Sequence, residues 1–179
     1  MHLVRSEPGV GSTFGLRIPI EPVESELGGA RSATPSTRPD AGNTMARLHG
    51  RILLVEDGND NRRLLTHVLE RAGATVTAVT NGAEALAALA ESAEAKRPFD
   101  LVVTDLQMPV MDGYTLIREV RGSGGGGVPI VALTAHAMAE DRERCFAAGC
   151  DDYAVKPIDP SHFLATCAHW LRTSRDMHD

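Results

Sequence analysis

The sequence predicts an α/β fold, a doubly wound five-stranded parallel sheet of order 2-1-3-4-5 with five helices. Two observations carry this. From Gly50 onward, short β-branched or aliphatic runs alternate strictly with stretches of helical period. Strand–helix alternation implies right-handed crossovers and hence a parallel sheet. The run Leu101-Val102-Val103-Thr104 is continuously apolar up to its last residue, as a strand buried on both faces is, and it ends on Asp105 with a turn directly after. In such folds ligands collect beyond the carboxyl ends of the strands, so Asp105 sits where chemistry is expected.

The elements follow in order. Residues 1–20 carry a glycine turn, Gly9-Val10-Gly11-Ser12-Thr13, running into Phe14, Leu16, Ile18 and Ile20. That alternation suits a half-buried strand, for which no partner is evident nearby. Residues 21–49 are rich in Pro, Ser, Thr, Gly and Ala without a period, and read as a flexible linker; Met45 within it could serve as an internal start. Residues 50–173 form the folded domain. Arg51–Val55 is its first strand, ending on Glu56-Asp57. Leu64, Leu65, Val68, Leu69 and Ala72 mark the first helix, stopped by Gly73. Thr75–Val79 is the second strand, and Asn81 with Glu84 forms a capping box for a helix through Leu86 and Leu89.

Phe99–Thr104 is the third strand. Asp112 caps a helix carrying Leu116, Ile117 and Val120, and Gly124–Gly127 is a flexible connection. Val128–Thr134 is the fourth strand, with Pro129 tolerated near its start. A helix closes at Gly149, and Asp152–Lys156 is the fifth strand. Asp159, with Pro160 at the first helical position, opens a final helix whose core face is Phe163, Leu164, Cys167 and Leu171. Residues 174–179 are a tail. The arrangement is flavodoxin-like.

Eighteen basic and 24 acidic residues give a net charge of −6, which argues against a general nucleic-acid binder. Three cysteines with no C-x-x-C suit a reducing compartment and apolar packing. Neither a secretory signal nor a membrane-length apolar stretch is visible, so a cytoplasmic location without membrane contact is expected.

In the predicted strand order, Glu56 and Asp57 end the strand beside the one that ends on Asp105. Two such charges about 4 Å apart repel by about 4 kcal/mol at an effective dielectric of 20, so the site needs a proton or a cation. Oxygen ligands of this kind suit Mg²⁺, with Mn²⁺ also able to serve. Thr134 and Lys156 end the fourth and fifth strands and reach the same edge. A hydroxyl and an ammonium facing a cation and three carboxylates can hold an incoming phosphoryl group, which predicts an acyl phosphate on one Asp.

Val55-Glu56-Asp57, Thr104-Asp105-Leu106-Gln107-Met108-Pro109 with Met111-Asp112-Gly113, Leu133-Thr134-Ala135 and Lys156-Pro157 together resemble the receiver domain of two-component response regulators. The wording around Thr134-Ala135-His136 and Cys150-Asp151-Asp152-Tyr153 is most similar to receivers fused to hybrid sensor histidine kinases. Gly9-Val10-Gly11-Ser12-Thr13-Phe14 followed by Pro19 looks like the last glycine box and closing strand of a kinase ATP-binding domain. Residues 1–20 are thus expected to be a remnant of that domain, with no kinase activity of their own.

The resemblance implies that Asp105 is the phosphoacceptor. It makes Glu56, Asp57, Asp105 and the Gln107 backbone carbonyl the metal site, Asp57 a direct ligand and Glu56 acting mainly through water. It pairs Lys156 with the phosphoryl group, makes the bond to Pro157 cis, and gives Pro109 and Gly113 structural roles in the turn. It makes Thr134 and Tyr153 the switch pair, acting on the face of the fourth helix, fifth strand and fifth helix. A hydrogen bond to a charged group is worth ~1.5–3 kcal/mol. Moving a switch from 1:99 to 99:1 takes about 5.5 kcal/mol, so the lysine contact and repacking must contribute. Gly58 stands where hybrid-kinase receivers often carry Asn, which loosens this loop.

The implied partner is a phosphohistidine donor, either a kinase dimerisation domain or a histidine phosphotransfer protein. The parent kinase could itself be membrane-anchored. No DNA-binding helix pair follows the last helix, so the expected output is onward phosphotransfer or regulation of the parent kinase. The sequence leaves the oligomeric state open. Beyond self-phosphorylation and self-dephosphorylation, no enzyme activity is expected of the chain alone. The competing readings are an aspartyl-phosphate phosphatase of the haloacid dehalogenase type and a flavin-type cofactor binder. The first wants Asp-x-Asp where this chain has Asp105-Leu106-Gln107. The second would place its phosphate against Glu56-Asp57.

Overall fold

Five short strands carry most of the valine and isoleucine of residues 50–156, and each is followed by a helix. The computed structural model describes residues 2–7, 11–15, 47–123, 127–135 and 139–176. Two units are distinguished, Met1–Ala41 and Gly42–Asp179.

In the first unit, β1 (His2–Glu7) and β2 (Gly11–Gly15) pair as an antiparallel hairpin, with Leu3 opposite Phe14. The strand expected at Phe14 therefore has a partner, and that partner precedes it. The continuation through Leu16, Ile18 and Ile20 falls outside the described residues, as does most of the 21–49 stretch.

In the second unit, β3 (Arg51–Val55), β4 (Thr75–Val79), β5 (Leu101–Asp105), β6 (Ile130–Thr134) and β7 (Asp152–Val155) form one parallel sheet. Its order is β4-β3-β5-β6-β7, the 2-1-3-4-5 arrangement counted within the sheet. The register sets Val55 beside Thr104, Asp105 beside Leu133 and Thr134 beside Val155, so the carboxyl ends of β3, β5, β6 and β7 line one rim. Between successive strands run α1 (Asn59–Arg71), α2 (Gly82–Glu94), α3 (Gly113–Gly122) and α4 (Ala139–Ala148), and α5 (Pro160–Asp176) follows β7.

Each central strand feeds two apolar layers because successive side chains alternate faces. Ile52, Leu54, Leu101, Val103, Val131, Leu133 and Ala154 pack with Leu65 and Leu69 of α1 and Phe163, Leu164, Cys167 and Leu171 of α5. Leu53, Val55, Val102, Ile130 and Ala132 pack with Ala85 of α2, Leu116, Ile117 and Val120 of α3, and Cys145 of α4. The helix starts use the side chains expected of them. Asn81 Oδ1 accepts from Glu84 N at 3.0 Å, Asp112 Oδ1 from Thr115 N at 2.7 Å and Asp159 Oδ1 from His162 N at 2.8 Å. The Glu84 carboxylate reaches back one residue further, accepting from Thr80 N at 2.9 Å as well as from Asn81 Nδ2 at 3.1 Å. Gly73 and Gly149 end α1 and α4 at φ +107° and +104°, backbone that L side chains rarely adopt.

Three local expectations change. Phe99 and Val128 lie outside β5 and β6, so both strands start later than their apolar runs. Leu64 is 59% exposed: it sits about 100° around α1 from the buried Leu65–Leu69 stripe. Packing also begins before Gly50. Leu48 is 1% exposed, belongs to the α1–α5 layer, and donates its N–H to Ala72 O at 2.8 Å.

Candidate phosphoryl-accepting site

The site is built where β3, β5, β6 and β7 end together. Glu56 and Asp57 follow β3 directly, Asp105 is the last residue of β5, Thr134 the last of β6, and Lys156 follows β7. One carboxylate oxygen each from Glu56, Asp57 and Asp105 lies within 4.8 Å of the others. Glu56 is almost wholly buried and Asp105 nearly so, whereas Asp57 is open to solvent. Buried acids so close together need positive charge.

The chain supplies some of that charge itself. Lys156 Nζ donates to Asp105 Oδ2 at 2.6 Å and to Glu56 Oε2 at 2.7 Å. Burial pulls the Lys156 pKa down. The hydrogen bonds and charges of Asp105 and Glu56 outweigh that and hold it above the usual lysine value. The Lys156-Pro157 peptide is cis, as expected. Lys156 N donates to Thr134 O at 2.7 Å, tying the β7 exit to the end of β6.

The second Asp105 oxygen is also engaged, since Oδ1 accepts from Gln107 N at 3.0 Å. The turn after β5 is tight. Gly113 N donates to Leu106 O, and a Cβ on Gly113 would collide with the Asp105 carbonyl oxygen. Gly113 is therefore required by space. Within the turn, Met111 N donates to Pro109 O at 2.8 Å around Val110, whose φ is +69°. That is a strained three-residue turn for a β-branched residue. No sequence signal marks it, since valine is the last residue to expect there.

Gly58, which the sequence suggested would loosen the acidic loop, has a different local role. Its φ of −65° is open to any residue, but a Cβ there would lie 2.9 Å from Glu56 Oε1. The glycine makes room for the buried carboxylate. Asn61 Nδ2 holds that same oxygen at 3.3 Å. The Asn61 contact carries no sequence signal, because side chains one turn into a helix follow no periodic rule.

Thr134 is buried at the same rim. Tyr153 is half-buried on β7, edge-on to Phe146 of α4 at 6.1 Å, with the Arg142 guanidinium 5.8 Å from its ring. His67 and His162 are exposed on α1 and α5. Trp170 is half-buried, and its Nε1 donates to Asp152. His136 lies outside the described residues. Among the described residues, no helix is long and apolar enough to cross a membrane.

A parallel five-stranded sheet with this rim defines a class of phosphoryl-accepting domains. Residues 52–168 match the response regulator receiver domain model, and the chain belongs to that family. It is a phosphoryl-accepting receiver domain of two-component signalling. The sensor histidine kinase GacS of Pseudomonas protegens is 40% identical over 131 residues, 71% of this chain and 14% of that protein. The virulence sensor protein BvgS of Bordetella bronchiseptica is 35% identical over 162 residues, 87% of this chain and 12% of that protein. The chain thus spans a small part of these kinases. Among solved structures, the receiver domain of sensor histidine kinase PA1611 from Pseudomonas aeruginosa is 38% identical with a TM-score of 0.60. The match covers 70% of this chain and 99% of that one, and that structure has a magnesium ion coordinated in the active-site cleft.

Proposed function

We propose that Asp105 accepts the phosphoryl group of a phosphohistidine. The reading rests above all on one observation, the Lys156 ammonium held 2.6 Å from Asp105 Oδ2 at the rim where three carboxylates converge. An Asp105 oxygen attacks phosphorus as the P–N bond to the donor imidazole breaks, leaving an acyl phosphate on Asp105 and a neutral ring after protonation. Lys156 shifts from the carboxylate to a phosphoryl oxygen. Thr134 donates its hydroxyl to another. Mg²⁺ fits this donor set, held by Asp57, Asp105 and the Gln107 carbonyl with Glu56 acting through water, and would neutralise charge on the transferring group. Mn²⁺ would serve in its place.

Tyr153 follows Thr134 inward, so the face of α4, β7 and α5 reports the phosphorylated state. Its present packing on Phe146 and Arg142 is what that movement would exchange.

The parent protein is, on this reading, a hybrid sensor histidine kinase, with residues 1–20 the end of its ATP-binding domain and 21–49 a linker. The BvgS match supports this, since 87% of a 179-residue chain must begin before about residue 25. The donor is then the kinase dimerisation domain or a histidine phosphotransfer protein, in the cytoplasm.

Incubation with Mg²⁺ and acetyl phosphate, followed by intact mass, tests the acceptor. The chain should gain one phosphoryl group, and Asp105→Asn should gain none. A phosphorylated Asp105→Asn protein would overturn the assignment.

A further inference from the structure

Two successive carbonyls in the loop that presents the acidic pair accept hydrogen bonds from one side chain, that of Arg62. Its Nη1 donates to Glu56 O at 3.0 Å and to Asp57 O at 3.1 Å. Nη2 completes the grip on Asn59 Oδ1 at 3.1 Å. We propose that Arg62 is a positioning residue for divalent-cation binding, fixing from α1 the backbone that aims Glu56 and Asp57. The proposal rests on the reading of the rim as a cation and phosphoryl site.

The physical case has three parts. Gly58 gives the loop no side-chain cap of its own at the start of α1. The orientation of the 56 and 57 carbonyls sets the peptide planes on both sides of Asp57, and with them the direction of its side chain. Nη1 holds both carbonyls while Nη2 holds Asn59 Oδ1, so one rigid planar guanidinium fixes three acceptors in a set geometry, which a freely rotating ammonium on a flexible stem does not. Arg62 also turns both carbonyls toward itself, so the loop offers the cation carboxylates rather than carbonyls. Asn61 Nδ2 on Glu56 Oε1 acts in the same sense, so consecutive residues of α1 hold both the backbone and one side chain of the acidic pair.

The test is calorimetric titration of the full chain with Mg²⁺, comparing wild type with Arg62→Ala, Arg62→Lys and Arg63→Ala. Arg63 is an exposed neighbour that changes the same charge. Amide hydrogen exchange at Asp57–Asn59 is measured without metal. Arg62→Ala should bind Mg²⁺ about tenfold more weakly, the scale seen when a supporting partner of a metal ligand is lost. Its loop amides should exchange faster while those of β5 stay protected. Arg62→Lys should fall close to Arg62→Ala, and Arg63→Ala should match wild type.

Wild-type affinity in Arg62→Ala would overturn the proposal. So would full recovery in Arg62→Lys, or an equal loss in Arg63→Ala, since either makes the effect one of charge alone. If Arg62→Ala fails to fold, the Arg62→Lys affinity decides. A wild-type chain that takes no Mg²⁺ would instead sink the reading of the site itself.

Discussion

Lys156 is the residue on which the resting site balances. Its ammonium bridges two buried carboxylates, one just past β3 and one at the end of β5, and removing one partner from a buried ion cluster leaves charge without compensation. Lys156→Met should therefore destabilise the metal-free protein by about 3 kcal/mol, and added Mg²⁺ should restore much of that. Urea unfolding with and without Mg²⁺ measures both, and an undiminished midpoint would refute the role. The pH dependence follows from the raised Lys156 pKa. The stabilisation it brings is fully present below the ordinary value of 10.5 and is lost as pH climbs through the higher folded-state value. Unfolding experiments from pH 9 to 12 should show the wild type losing stability across that window more steeply than Lys156→Met. At this scale the sequence was legible where a residue ends a strand, because the rim rule places Glu56, Asp57, Asp105, Thr134 and Lys156 without coordinates. Arg62 and Val110 were not legible. One acts through side-chain reach onto carbonyls, the other holds a backbone conformation its type disfavours.

Among the elements, the junction of β5 with α3 is the tightest. The first residue of α3 lies against the carbonyl of the last residue of β5, so only a hydrogen fits where a methyl would stand. Gly113→Ala should cost about 3 kcal/mol, at the upper end for overpacking because backbone rather than a side chain must yield. It should also slow phosphorylation by displacing Asp105. Thermal denaturation and the acetyl phosphate assay check the two parts, and a fully stable, fully active variant would contradict them. Helix starts were readable because Asn81, Asp112 and Asp159 are good caps. Strand starts were less so, since Phe99 and Val128 are apolar enough for a strand but pack from loops. Leu64 shows the same weakness in α1: adjacent leucines cannot share one helical stripe, and composition does not say which of them turns outward.

In the whole molecule, two apolar layers sandwich the sheet and enclose all three cysteines. Burial pushes the thiols of Cys150 and Cys167 up to about 12, and that of Cys145 also rises. Thiolate is the reactive form, so native protein at pH 8 should alkylate with iodoacetamide on the order of a thousandfold more slowly than the denatured chain. Rapid native labelling, read by mass, would show that the layers open. The sheet order was legible from strand–helix alternation alone, and the edge of the packed region was not, because linker composition runs up to a single buried leucine. That leucine has a mechanical meaning. Leu48 is seated among α1 and α5 residues and hydrogen-bonded to the end of α1, so the chain does not enter the sheet from a slack tether. Leu48 thus pins the point at which the chain joins the domain, on the same helix that carries Arg62.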